Sequence, residues 1–450
     1  MSMPIPVIPI RKLSSQESTN PADAAILGFA PQAWIQVYRT VGPIFHVEEI
    51  GRTFLCGPEA NAAAWRRPDD WSYSRAVVGE VFQSQLGQDY ITGSDGAIHR
   101  RQRKLLRPVF TGEPLVRHLS IAANLLQNRF ADLALKEDSV DLHSELIQLY
   151  TLAFNRTMVD SGATDDMIQS IARFEEVLVR GGGLAAEERV AWYTRPAYVE
   201  LRERVLGHFR RVVRGRLAGL KVGDNLDLLI KAMQNESEQE PCFDELVRDA
   251  YLMQAGGAGN IAMMFCNVLS ILVREPEWLK RIAQELSSLD VSTFAREGMK
   301  GFPFMRAVML EGERRYAPTP IMPKVATHDL DFLGYHIPEG VEVLHVFSLV
   351  NFLEENYLEP MRFDPDRWMG ENRKKPAAFG GGEHMCLGID VARLYLFLSL
   401  AMFLQEFTVV DRQVPKMVRV DTGEDRSPER LSYLVRIKRT AEPRDVDVAE

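Results

Sequence analysis

No apolar run in this 450-residue chain reaches the roughly 20 residues that a membrane-spanning helix needs. The opening MSMPIPVIPIRKLSS lacks the long apolar core of a secretory signal. A soluble, cytoplasmic protein is therefore expected. Cysteine is scarce. Cys56, Cys242, Cys266 and Cys386 are scattered and form no C-x-x-C pair, which argues against zinc sites and disulfide frameworks. Basic charge is also short: 53 Lys and Arg against 62 Asp and Glu give a net charge of −9, so nucleic acid is not expected as a partner. No repeat is visible, and no linker separates two composition regimes. One large domain over residues 30–438 is expected, with tails at 1–29 and 439–450.

The pattern is mainly α with small β-sheets (α+β). IFHVEEIGRTFLCG (44–57) alternates around a glycine turn as a hairpin, followed by a helix from Pro58. Leu115, Leu119, Ala122, Leu126, Phe130 and Leu133 share one helical face. Helices are also expected over 141–154, 198–217, 275–286, 304–318 and 391–407. Gly181, Gly182 and Gly183 read as a flexible break, and the arginines of 202–216 as a solvated face. Strands are expected over 331–346, with a Pro-Glu-Gly turn, and in a terminal hairpin from Thr408 to Arg439.

Two stretches do not fit a purely structural reading. In LMQAGGAGNIAMMF (252–265), three glycines interrupt an apolar helical segment, although each costs about 1 kcal/mol relative to alanine in a helix. Close packing against another helix would also use small residues. In FGGGEHMCLG (379–388), glycines let backbone N–H groups turn toward one sulfur, and the following helix adds a positive dipole end. A lone thiolate among donors suits an axial ligand to haem iron. The residues alone leave open a buried, inert cysteine at a helix entry.

The spacing F-x-x-G-x-[HR]-x-C-x-G resembles the haem-binding loop of the cytochrome P450 (haem-thiolate monooxygenase) family, in its soluble bacterial form. Other segments follow in the family's order. Glu311 and Arg314 form E-x-x-R, and FDPDRW supplies Arg367 where the family has the third member of a Glu-Arg-Arg network. GAIHRRQRKLLRPVF (96–110) resembles the helix over the haem propionates, and PKVATHDLDFLGYHIPEG (323–340) the family's strand region. The resemblance runs from about residue 30 to 438.

The resemblance implies haem b (iron protoporphyrin IX) between a long central helix and the cysteine-loop helix. Cys386 would bind the iron, with Phe379 beside the sulfur and Gly388 allowing close approach of helix and porphyrin. His99, Arg103, His384 and Lys324 would meet the propionates. The central helix would be 244–274, where the family usually reads A-G-x-[DE]-T. Ala255 and Gly256 match, but Ala258 replaces the acid and Gly259 the threonine, so Ala258, Gly259 and Asn260 form an atypical oxygen-activation turn. A local bulge is expected there. Either substrate or water then replaces the missing relay, or peroxide drives turnover, or the reaction inserts no oxygen. A non-catalytic haem sensor is the competing class.

By the same resemblance, the pocket would be lined by Phe82, Leu86, Tyr90, Ile91, Met253, Ala255, Gly259, Thr319, Ile321, Met322 and Leu431. These walls suit an apolar secondary metabolite: a terpenoid, steroid, polyketide or aromatic compound. No flavin or iron–sulfur motif appears, so electrons would come from a ferredoxin and an NAD(P)H-dependent ferredoxin reductase. Arg100, Arg101, Lys104, Arg107, Arg373, Lys374 and Lys375 would form the positive dock of a monomeric enzyme.

Overall fold

The computed structural model describes residues 3–9, 12, 31–117, 119–236, 240–287, 289, 294, 298–370, 374–413, 415–419 and 429–440. It is mainly helical with small sheets, as the periodicity indicates. Contacts divide the chain into two units, Met1–Arg103 with Leu310–Leu387, and Lys104–Met309 with Gly388–Glu450.

Unit 1 is built on a six-stranded sheet. In chain order its strands are β1 (Val7–Ile8), β2 (Ile44–Val47), β3 (Arg52–Cys56), β4 (Trp71–Ser72), β5 (Met322–Ala326) and β6 (Glu342–Val346). Their spatial order is β1-β2-β3-β6-β5-β4. The hairpin at 44–57 forms as expected, with Ile44 opposite Leu55. Val7 and Ile8 pair with His46 and Val47, so a piece of the segment read as a tail joins the sheet. Alternation sends Phe45, Val47, Phe54 and Cys56 to one face, where they bury Trp34 and Val37. Trp34 meets Phe54 edge-on at 5.0 Å. The opposite face buries Ile44, Leu55, Trp71 and Val343. Cys56 is thus a core hydrophobe.

Unit 2 is a helical bundle. We use α1 (Leu119–Ala134), α2 (Leu142–Thr157), α3 (Asp165–Gly182), α4 (Pro196–Leu217), α5 (Phe243–Ala255), α6 (Ala258–Leu272) and α7 (Ile389–Glu406). Helix α7 is apolar on nearly every side and is correspondingly buried. Phe403 packs edge-on against Phe130 of α1 and Phe265 of α6. Tyr150 on α2 donates to Ser399 at 2.9 Å, satisfying a hydroxyl that burial would otherwise penalise. By length and composition the stretch Phe243–Leu272 does pass as long and apolar enough to cross a membrane, contrary to the run-length reading. Two thirds of its most apolar window is nevertheless buried inside the protein, as in a core helix.

Two local expectations need correction. The glycines at 181–183 do not make a flexible break: α3 runs through Gly182. Gly181 is required by a close approach, since a Cβ there would lie 2.3 Å from the Trp192 ring. Nor is the arginine run all solvated. Arg216 is buried and forms a forked pair with Asp224 while also meeting Asp227. Sequence periodicity could not reveal those acids, because they lie beyond the helix end.

Candidate active site

In unit 1 the cysteine loop turns on Gly380 and Gly382, both with left-handed φ (70° and 65°), a conformation that favours glycine. The Cys386 amide donates to the Phe379 carbonyl at 2.9 Å and closes the loop. Arg103 donates from Nη1 to the Met385 carbonyl at 2.7 Å, bracing the residue before the cysteine. Gly381 lies against Trp65, whose ring would be 2.4 Å from an added Cβ. Unlike Cys56 and Cys266, Cys386 is exposed. Cys242 is also exposed, but it only precedes α5.

The Glu-Arg-Arg expectation corresponds to a buried network. Glu311 and Arg314 are both fully buried and pair in a fork at 2.7 and 2.9 Å. Arg367 Nε reaches Glu311 at 3.1 Å. Arg314 also donates to the carbonyls of Asn351, Pro360 and Arg362. Trp368 Nε1 donates to Glu311 at 2.8 Å, a member that could have been read from FDPDRW.

Beside the loop, the His384 ring is sandwiched between Tyr73 at 3.9 Å and His99 at 4.0 Å. Its Nε2 meets Asp95 Oδ1 at 3.3 Å. Burial opposes ionisation of Asp95, but hydrogen bonds from His384, Ser74 and Ser72 outweigh it and hold the carboxyl well below its usual range. Asp95 carries no sequence signal beyond its place directly before the 96–106 helix, and Tyr73 carries none. Burial first, then the His384 and Arg103 charges, lowers the His99 pKa to about 3, so this imidazole is neutral. Its Nδ1 is buried without a partner.

Lys324 is 3% exposed. Among the described residues it forms no ion pair; its Nζ lies over the Tyr73 and Trp71 rings at 5.5 and 5.9 Å. Burial lowers its pKa to about 8. A buried ammonium without a carboxylate is costly and calls for an anion.

In unit 2 the glycine-rich segment is a break between helices rather than a bulge within one. Helix α5 ends at Ala255 and α6 begins at Ala258. The three glycines have three different explanations. Gly257 takes φ 99°, which favours glycine. A Cβ on Gly256 would lie 2.7 Å from the Leu252 carbonyl oxygen. A Cβ on Gly259 would meet no atom within 4 Å, and the same holds for Gly388 before α7, so the chain's own packing requires neither of these glycines.

Around the turn Gly256 and Asn260 are exposed and Leu252, Gly257, Gly259 and Met263 are half-buried, and these residues make up its open face. Ala258, Met253 and Ala255 are packed at 1% exposure each. Gln254 is fully buried with its amide atoms unpartnered, so it lies off that open face. No acid or hydroxyl side chain occupies the open face. At the start of α6 the N–H groups of Ala258, Gly259 and Asn260 have no intrahelical acceptor, leaving donors at the turn.

The expected lining divides between the units. Phe82, Leu86, Tyr90, Ile91, Thr319, Ile321 and Met322 belong to unit 1, where Phe82 and Tyr90 pack at 5.5 Å. Leu431 belongs to unit 2; its backbone pairs with Met417, and its side chain lies outside the described residues. Arg100 pairs with Glu383 at 3.3 Å, and Lys374 with the Asn356 side chain at 2.8 Å. Arg101, Lys104 and Arg107 are exposed, whereas Arg373 lies outside the described residues.

These features fit a haem. In unit 1 they are an exposed thiol in a glycine loop, a buried cation with no carboxylate among the described residues, and a neutral imidazole whose Nδ1 has no hydrogen-bond partner. A family model described as "Cytochrome P450" matches residues 31–423. The cytochrome P450 monooxygenase penB of Penicillium thymicola is 25% identical over 47% of this chain and 51% of its own length. The chain thus spans about half the length of the first curated relatives it matches. The pentalenene oxygenase of Streptomyces avermitilis is 24% identical over 69% of this chain and 72% of its own length. A solved structure described as retinoic-acid-bound cyanobacterial CYP120A1 is similar at a TM-score of 0.73 and 19% identity, covering 98% of this chain and 100% of that one, which shows the fold alone. The chain belongs to the cytochrome P450 family, whose cofactor is haem held by a cysteine thiolate.

Proposed function

We propose that this protein is an oxygen-dependent monooxygenase acting on an apolar, medium-sized metabolite, with residues 30–438 working as one haem domain. The observation that carries this reading is the exposed Cys386 thiol in its braced glycine loop. Cys386 is the proposed axial ligand, and Lys324, His99, His384 and Arg103 are the proposed propionate partners. When bound, the haem supplies dioxygen activation. The relative named pentalenene oxygenase supports a cyclic apolar substrate.

This chain's own contribution to proton delivery is unusual. The first-turn N–H groups of α6 and the Asn260 amide hold and orient water, in a role that an acid and an alcohol usually fill. Neither group is itself an acid, so protons come from that water or from a polar group on the substrate. Gly259, where an added Cβ would meet no atom within 4 Å, leaves room for both. The acid-free open face favours a second reading, in which hydrogen peroxide brings its own protons.

Electrons reach the site from an acidic ferredoxin and its NAD(P)H-dependent reductase. The ferredoxin docks on the exposed Arg101, Lys104 and Arg107 of a monomeric, cytoplasmic protein.

The test begins with the reduced carbon monoxide spectrum of wild type and Cys386→Ser. Turnover of any metabolite that shifts the iron spin state is then compared with a ferredoxin pair and with peroxide alone. Product with the reductase pair supports the first reading and product with peroxide alone the second. An unchanged spectrum in Cys386→Ser removes both. Asn260→Ala should lower product per electron and raise peroxide leakage, with substrate affinity retained.

A further inference from the structure

Unit 2 carries a cleft where the C-terminal end of α6 meets the antiparallel pair formed by Phe407–Arg412 and Leu434–Arg439. From Asn260 to Ser270 the helix advances about 15 Å, so this cleft is remote from the glycine turn. It is a shallow cleft of ≈ 140 Å³, open to solvent along one side, so a ligand would lie on its floor rather than be enclosed. Leu269, Val273, Val409 and Val435 supply an apolar floor, and Arg274 and Arg412 stand among them.

The two cations are not accounted for by internal pairing. Among the described residues no acidic residue lines the cleft and neither arginine forms an ion pair, although Glu275 adjoins Arg274 in sequence and the whole chain is acidic. Burial, and secondarily the Arg274 charge, lower the Arg412 pKa, so the two guanidinium groups repel. Arg412 gives one N–H to the Ser270 carbonyl at 3.2 Å, which uses a small part of its donor set.

Strand geometry adds an independent argument. In a regular strand, residues three apart lie on opposite faces. Val409 and Arg412 nevertheless line the same cleft, because the ladder shifts register between Val409 and Asp411. The irregularity re-aims the guanidinium over the apolar floor, a recognised use of a bulge.

We propose that this cleft binds a free medium-chain carboxylate, with the head group held by Arg274 and Arg412 and the hydrocarbon on the floor. The charge complementarity selects an anion, the apolar floor an amphiphile, and the two planar forks a carboxylate. This proposal does not depend on the assigned activity.

Dodecanoate is the probe. Calorimetric titration uses the holoprotein with excess imidazole, so that the iron site is already taken and its absorption bands report any displacement. One dodecanoate per chain should bind with those bands unchanged. Arg274→Gln should weaken binding at least 10-fold, the Arg274→Gln/Arg412→Gln pair should abolish it, and dodecanol should bind at least 10-fold more weakly. Because Arg412 also caps Ser270, the exposed Arg274→Gln variant keeps the test decisive if the double variant folds poorly. Three results would overturn the proposal: no binding, binding unchanged by Arg274→Gln, or arginine-dependent attachment to phosphatidylglycerol vesicles without binding of free dodecanoate.

Discussion

Replacing Arg314 with lysine keeps its charge and removes its fork, which isolates geometry from electrostatics. The guanidinium serves both oxygens of Glu311 and three backbone carbonyls, at 2.6 to 3.0 Å, with no exposed surface. One ammonium has three donors on a single atom and cannot span acceptors on residues 311, 351, 360 and 362. At least two buried acceptors lose their donor, at about 1–3 kcal/mol each. We take roughly 4 kcal/mol as the total, near the about 3–5 kcal/mol expected for breaking a buried pair. At about 2.1 cal/mol/K per residue, a chain of 450 residues has an unfolding entropy near 1 kcal/mol/K, so Tm falls about 4 °C if the chain unfolds cooperatively. The carbonyls belong to the segment that runs on to the cysteine loop, so haem content after purification should fall as well. Differential scanning calorimetry with a haem assay reads both quantities. A Tm within 1 °C of wild type, at full haem content, would refute the reasoning.

The buried Lys324 makes stability depend on pH. Its pKa of about 8 lies below the ordinary lysine value of 10.5, so between these values the unfolded chain holds a proton that the folded chain has lost, and stability rises with pH. Lys324→Met should therefore stabilise the haem-free protein below pH 8 by on the order of 3 kcal/mol and lose this advantage by pH 10.5, in urea melts. The same variant should release haem faster to a scavenging apoprotein, and slower release would contradict the propionate assignment. Gly181→Ala should cost about 1–3 kcal/mol by forcing a methyl group into the Trp192 ring, measured by thermal melting; a neutral result would show that the ring yields. Arg101→Glu with Lys104→Glu should slow reduction by ferredoxin and spare reduction by dithionite in stopped-flow traces. Equal slowing of both would remove the docking surface.

What the sequence reveals depends on whether the interaction is local. The i, i+3 spacing of Glu311 and Arg314 is visible because a helix places them together, and the structure buries that pair. The cysteine loop is legible because its glycines and its helix adjoin the thiol in the chain. Asp95 was not legible, since its role comes from a ring brought from position 384. Arg216 was misread for the same reason, because its acids follow the helix rather than share its face. The glycine turn reads from sequence as a bulge within one helix and is a break between two. Glycines raise the cost of helix there, but backbone torsion determines which of them needs φ above zero.

The contact between Gly381 and the indole of Trp65 has an optical consequence. That ring touches the loop five residues before the thiol, so its fluorescence is tied to the loop's conformation. A porphyrin seated beside it would quench the emission by energy transfer. Subtracting the spectrum of Trp65→Phe would isolate the signal, giving an internal gauge of cofactor loading with no added label.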